Sequence, residues 1–141
     1  MLSVKRVYEA PGAKDGFRIL VDRLWPRGLR KQRARIDLWL REVAPSNELR
    51  KWFAHEPQKW AEFQKRYAEE LRAKEELLSR IRDAVEEHGT VTLLFAASDT
   101  KRNNAVALRE HLRKAVASRL SIDQPTDSNS CALVVSEREK V

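Results

Sequence analysis

Two short stretches of this chain carry residue types that bind and orient a charged small molecule. The first is Asp22-Arg23-Leu24-Trp25-Pro26-Arg27-Gly28. The second is Ala97-Ser98-Asp99, running through Thr100, Lys101 and Arg102 to Asn103 and Asn104. Arginine offers a planar fork of donors that matches phosphate and carboxylate. Trp25 offers a stacking face for an aromatic or cationic group. A helix starting after the second stretch would add free backbone N–H groups and the positive end of its dipole, both favourable to an anion. Asp22, Arg23, Trp25, Arg27, Asp99 and Asn103 are therefore the candidate ligand-binding residues. The ligand they fit is an anionic, nucleotide-like or otherwise phosphate-bearing, small molecule.

Each of these residues also has a plainer structural reading. Asp22 and Arg23 can pair to hold a sheet edge. Asp99 can cap its helix, and for that residue the cap is preferred. Trp25 can be core, as most tryptophans are heavily buried. Asn103 can bond a neighbouring loop backbone. Other chemistries have less support. His55, His88 and His111 lie on separate elements without an H-x-x-x-H or H-E-x-x-H pairing, so no metal site is indicated. His55, beside Trp52, Phe53 and Pro57, is the best placed of the three. The single cysteine, Cys131, has no evident base and cannot build a disulfide framework or a multi-cysteine metal site. No glycine-rich phosphate loop occurs, and no pattern names a cofactor.

The elements that must position these residues are legible from periodicity. Ser3–Glu9 alternates as a strand, and Phe17–Leu24 is a second strand with an apolar centre, as in a buried strand. Their short separation implies an antiparallel pair. Trp25-Pro26-Arg27-Gly28 ends the second strand, because Pro26 cannot donate to a ladder. The basic stretch to Arg35 reads as a loop. Ile36–Val43 is ambiguous, with helical spacing slightly favoured. Ser46 suits the N-cap of a short helix through Phe53. Trp60, Phe63, Tyr67 and Leu71 form one face of a helix, and their spacing marks core rather than a base-stacking platform. Leu77, Leu78, Ile81 and Val85 continue to a stop at Gly89, with a break near Ala73-Lys74. Thr90–Ala97 is the clearest strand. Ser98 or Asp99 then caps a helix whose buried stripe is Ala105, Leu108, Leu112 and Val116.

Strand and helix thus alternate in the second half. The fold class is α/β, a single small layered domain with a short mixed sheet flanked by helices. Residues 1–116 form that domain. Residues 117–141 form a C-terminal extension that is expected to be flexible, with Cys131–Val135 as a doubtful edge strand. The strands ending at Leu24 and Ala97 would lie parallel and side by side, bringing their carboxyl ends to one edge, where open α/β sheets bind ligands.

Composition bounds the function classes. The chain has 141 residues, 42% hydrophobic and 35% charged, with four Gly and five Pro. That excludes a wholly disordered or collagen-like chain. Mean hydropathy is −0.62 and no long apolar run occurs, so no membrane span is expected. The N-terminus lacks an apolar signal core, and a soluble cytoplasmic domain is expected. The net charge is +7. Arg23, Arg27, Arg30, Lys31, Arg33 and Arg35 follow one another without an acid among them. Such a field attracts phosphates, nucleic acid or acidic surfaces.

The strings KRVYEAPGAKDGFRILVDRLWPRGL, DLWLREVAPSNELRKWFAHEP, KWAEFQKRYAEEL and TVTLLFAASDTKRNNAVALREHL, in this order, closely resemble the YeaO-like proteins of domain-of-unknown-function family 488. The resemblance runs from residue 4 to 115, and the D-R-L-W-P-R-G string is its most specific part. It implies a small bacterial or archaeal α/β domain and names no reaction. It points to Asp22, Arg23, Trp25, Pro26, Arg27 and Gly28, to Pro45, Ser46, Leu49, Arg50 and Phe53, and to Asn103 and Ala105. Ser46 and Arg50 thereby join His55 as supporting positions. One departure is Phe95-Ala96-Ala97-Ser98-Asp99, where the family often has Tyr-Ala-Ala-Lys-Asp. An essential ammonium at that helix start is thus in doubt. Three readings stay open: a site for an anionic small molecule, enzymatic or not; a basic nucleic-acid-binding module; and a protein-interaction or regulatory domain without catalysis. The reaction and the oligomeric state are not legible.

Overall fold

With Arg18 the charged exception, Phe17–Leu20 and Val91–Phe95 are short and mostly apolar. A strand buried on both faces needs that composition. The computed structural model describes residues 1–123 of the chain, and there these two runs are neighbours in one four-stranded sheet. The strands are β1 (Leu2–Arg6), β2 (Phe17–Leu20), β3 (Leu38–Trp39) and β4 (Val91–Phe95), in the order β1-β4-β2-β3. Every neighbouring pair is parallel. All five residues of β4 are buried. Phe17 is in register with Val91 and Leu20 with Leu94, so β2 and β4 end together.

The α/β layering matches the expectation, but the sheet is parallel throughout and not mixed. The antiparallel pair expected of the first two strands does not form. Both strands instead flank β4. The ten residues Val7–Gly16 carry the chain back along the sheet through a turn at Val7–Tyr8 and a 3-10 turn at Ala13–Asp15. A five-residue strand spans only about 17 Å, so ten residues can retrace it and step past a neighbour without a crossover helix. Gly16 makes this turn possible. Its φ is +66°, and a Cβ there would lie 2.2 Å from the Thr90 carbonyl oxygen.

The helices are α1 (Lys31–Ala34), α2 (Asn47–Phe53), α3 (Trp60–Arg72), α4 (Glu75–His88) and α5 (Asn104–Asp123). The basic stretch read as a loop contains α1. Ile36–Val43 resolves into β3 followed by a 3-10 turn at Arg41–Val43. Ser46 is the N-cap of α2, its Oγ accepting from the Leu49 N–H at 3.1 Å. α3 and α4 part at Ala73-Lys74, and Gly89 closes α4. Phe63, Tyr67 and Leu71 of α3 and Leu78 and Ile81 of α4 are buried. Phe53 of α2 stacks on Phe63 at 4.4 Å between ring centroids. By packing, the chain divides into a unit of residues Met1–His111 and a second unit from Leu112. α5 runs past the boundary expected at residue 116. The remainder of the expected extension, with Cys131, lies outside the described residues.

Candidate functional site

A cleft of about 480 Å³ opens at the carboxyl ends of β2 and β4. After Val21 the chain leaves the ladder, and the following residues turn across the top of the sheet. Asp22, Arg23, Trp25, Arg27, Asn103, Arg50 and His55 all line the cleft. Arg27 and Asn103, 76 positions apart in sequence, thus border one hollow. Asp99 and Ser46 do not line it.

Asp22 ties the two strand ends together. Its Oδ2 accepts from the Ala96 N–H at 2.9 Å and its Oδ1 from Asn104 Nδ2 at 3.0 Å. The same Nδ2 donates to the Val21 carbonyl oxygen. Burial pushes the Asp22 carboxyl above its ordinary value, and the bonds from Asn104 and Ala96 and the charge of Arg50 only partly oppose it. The Asp22–Arg23 ion pair is not made. Arg23 donates instead from Nη2 to the Ala44 and Pro45 carbonyl oxygens, at 3.3 and 3.4 Å. Its Nε is buried without a hydrogen-bond partner among the described residues.

Trp25 is half-buried. Its Nε1 donates to the Leu29 carbonyl oxygen at 2.8 Å, and its ring meets Trp39 edge-on at 5.5 Å. Arg27 is exposed, with its carbonyl oxygen accepting from the Tyr8 hydroxyl. Gly28 follows at φ +75°.

The second stretch divides its tasks differently from the sequence expectation. Asp99 caps a turn and not α5: its Oδ1 accepts from the Lys101 and Arg102 N–H groups, and these two bonds hold its carboxyl below the usual range. Asn103 is the cap of α5, accepting from the Val106 N–H through Oδ1 while Nδ2 donates to the Asp99 carbonyl oxygen. Asn103 is 2% exposed. Its polar atoms are committed to the backbone, which is the structural reading weighed for it above.

A polar clamp stands behind the cleft. Tyr67 donates its hydroxyl to the Val43 carbonyl oxygen at 2.6 Å, and burial drives its pKa far above the phenol range. Lys74 donates to the Ala44 carbonyl oxygen at 3.0 Å, and burial lowers its pKa despite the opposing charge of Glu70. Glu70 accepts from the Ser46 N–H and hydroxyl. With Arg23, these side chains fix the Val43–Ser46 turn, and with it the start of α2. Ser46 therefore positions Arg50 from outside the cleft. Arg50 is exposed, and among the described residues its side chain bonds only Asn47 Oδ1, at 3.2 Å. His55 follows Ala54, and both have left-handed backbones, with φ of 58° and 48°.

Sequence reasoning missed Tyr8 and Phe63 as lining residues, and it placed Asn104 in the second stretch without singling it out; Phe53, to which the resemblance points, lines the cleft. For Phe63 the helical spacing signalled core, and both phenylalanines are buried while lining the cleft. Tyr8 was read as part of the strand Ser3–Glu9, whereas β1 ends at Arg6 and Tyr8 lies beyond it. Among the described residues, no group of three His, Cys, Asp or Glu side chains is gathered to hold a metal ion. No helix among them is long and apolar enough to cross a membrane.

Comparison with known proteins places the chain. Residues 1–132 match the family described as "Inactive DUF488-N3 subclade". The chain is 42% identical over 112 residues to Uncharacterized protein YeaO of Escherichia coli (strain K12), covering 79% of this chain and 96% of that protein. It is 53% identical over 68 residues to Uncharacterized protein Rv3073c of Mycobacterium tuberculosis and to Uncharacterized protein Mb3100c of Mycobacterium bovis, spanning 48% of this chain and 58% of theirs. No solved structure matches the chain with significance. The family match runs through all four strands and every residue of the cleft, and the chain belongs to the YeaO-like DUF488 proteins, in their Inactive DUF488-N3 subclade.

Proposed function

We propose that the chain binds an anionic, phosphate-bearing small molecule in the cleft and does not transform it. One observation carries this reading: Arg23, Arg27 and Arg50 border a single cleft with the Trp25 and Phe53 rings, and none of the three has a carboxylate within ion-pair distance among the described residues. A volume of about 480 Å³ suits a nucleotide-sized ligand. The buried Nε–H of Arg23 adds a donor with no acceptor among the described residues. Burying such a group unsatisfied costs about 1–3 kcal/mol, which an anion would relieve.

Binding without turnover is favoured on two grounds. Asp22, the carboxylate of the cleft, is committed to Ala96 and Asn104. The family to which the chain belongs is described as inactive. Calorimetric titration of the full chain with inorganic phosphate and with adenosine monophosphate tests the reading. Binding should weaken at least tenfold in Arg50→Ala while the melting temperature holds, and phosphorus NMR should recover the nucleotide unchanged. Absence of binding at millimolar ligand, or equal binding by the variant, would overturn the site. Conversion of the nucleotide would overturn the claim of binding alone.

A further inference from the structure

A second hollow adjoins the cleft, and the small-molecule reading does not use it. It encloses about 790 Å³ and is lined by Tyr8, Glu9, Gly28, Arg30, Arg33 and Arg35 among others. Tyr8 borders both hollows. The chain crosses from one to the other at the Pro26–Gly28 turn, where Arg27 lines the cleft and Gly28 lines the basin. Gly28, at φ +75° and with open space around it, permits that crossing.

Tyr8 is anchored and still open. Its hydroxyl donates to the Arg27 carbonyl oxygen at 2.8 Å. The Arg6 guanidinium, itself bonded to the Ala97 carbonyl oxygen, lies 4.9 Å from the ring centre. The residue nevertheless remains 42% exposed. Arg30, Arg33 and Arg35 are exposed, and none has an acidic partner among the described residues. Glu9 is the one acid on the lining.

We propose that the basin is a phosphodiester subsite and that the protein binds single-stranded nucleic acid. One base stacks on Tyr8 at the mouth of the cleft, and the neighbouring phosphates lie against Arg30, Arg33 and Arg35. Single-strand binders combine a positive track for the backbone with an aromatic platform for a base, and here the two components meet at one residue. A duplex keeps its bases stacked inside and offers Tyr8 nothing. A bare polyphosphate would use the arginines and gain nothing from the ring. The basin uses residues other than Arg23 and Arg50, so this inference goes beyond the cleft reading and can fail without it.

The test is fluorescence anisotropy of the full chain with a labelled mixed-sequence 12-mer of single-stranded DNA, titrated across salt. The 12-mer should bind at low salt. Arg30→Gln with Arg33→Gln should weaken it at least tenfold and flatten the slope of log K against log salt by about 1.4, at roughly 0.7 for each phosphate contact on a single strand. Both side chains are exposed, and a melting curve verifies the fold. Tyr8→Ala, with Tyr8→Leu as the more conservative variant, should weaken the 12-mer and leave inorganic polyphosphate binding unchanged. Three results would overturn the proposal: no binding at low salt, equal or tighter binding of a duplex of the same length, or Tyr8 variants that affect both probes alike or neither. None of these would alter the phosphate titration of Arg50→Ala, which tests the cleft alone.

Discussion

The two ends of the sheet treat their charges in opposite ways. At the amino end, Asp15 accepts from the Gly12 N–H, from Lys5 Nζ at 3.2 Å and from Arg18 Nη1. Arg18 is 3% exposed and also donates to the Ala34 and Arg35 carbonyl oxygens. Thr92 closes the knot by donating to the Asp15 carbonyl oxygen. Burial alone would raise the Asp15 carboxyl, but the Gly12 amide, Lys5 and Arg18 outweigh it and hold it below its ordinary value. At the carboxyl end, Asp22 is hydrogen-bonded only by the Ala96 and Asn104 amides, with the charge of Arg50 unbonded, and there burial prevails. At Asp15 the Gly12 amide and two bonded cations together reverse the effect of burial, whereas at Asp22 two amides and the unbonded charge of Arg50 only reduce it. The cations at the amino end are locked into structure, and those around the cleft are left to meet something else.

Removing one partner from each end should separate these roles. Arg18→Ala leaves Asp15 and two carbonyl groups short of donors in a buried site. We expect a loss of about 3 kcal/mol or more in denaturant unfolding. Arg50→Ala, at an exposed position bonded only to Asn47, should stay within about 0.5 kcal/mol of the parent. Comparable losses in the two variants would erase the contrast.

The two positive-φ glycines that flank β2 sharpen the same contrast. Gly16→Ala drives a Cβ against the Thr90 backbone, which cannot retreat without parting β2 from β4. The expected loss is on the order of 3 kcal/mol. Gly28→Ala meets nothing within 4 Å and carries only the left-handed backbone cost, about 1 kcal/mol. Thermal melts of the pair should keep that order.

The carboxyl end was more legible in the sequence than the amino end, for a physical reason. Asp22 through Gly28 is a contiguous string in which a proline and a glycine end a buried strand, and contiguity is what a sequence displays. That β2 and β4 lie parallel also followed from the long stretch of chain between them. The Lys5–Asp15–Arg18 knot was invisible because it depends on β4 inserting between two strands that are close in sequence. Tyr8 was hidden because β1 ends at Arg6, before it. Asp99 and Asn103 were assigned to the right segment, but the helix begins one short turn later than its first good cap. Two candidate caps in tandem cannot be ranked without knowing where the strand stops.

Ser46 links the clamp to the cleft, so its removal should be felt at both. Ser46→Ala loses the cap of α2 and one of two bonds to Glu70. About 1 kcal/mol of stability should go with it. Phosphate affinity should fall more in this variant than in an equally destabilised one, because Arg50 sits one turn inside the helix that Ser46 starts. Equal affinities at matched stability would detach the clamp from the site.

The smallest effect concerns pH, and its sign differs between the two ends. Asp15 has a folded pKa below its unfolded value of 3.8. Its contribution is present above pH 3.8 and is lost as pH falls through the folded value. Asp22 has a folded pKa above 3.8. Between 3.8 and that folded value the native state binds more protons than the unfolded chain, so stability declines as pH rises through this window. Asp22→Asn removes the titration and should abolish the decline there, whatever it costs in absolute stability by presenting an amide N–H to Ala96 or Asn104. Asp15→Asn should leave the decline in place and remove the loss at lower pH. Melting temperatures of both variants, measured at intervals from pH 3 upward, read the two windows separately. A decline that survives in Asp22→Asn would assign it to another carboxylate, and the carboxyl end would then no longer be the place where burial prevails over contact.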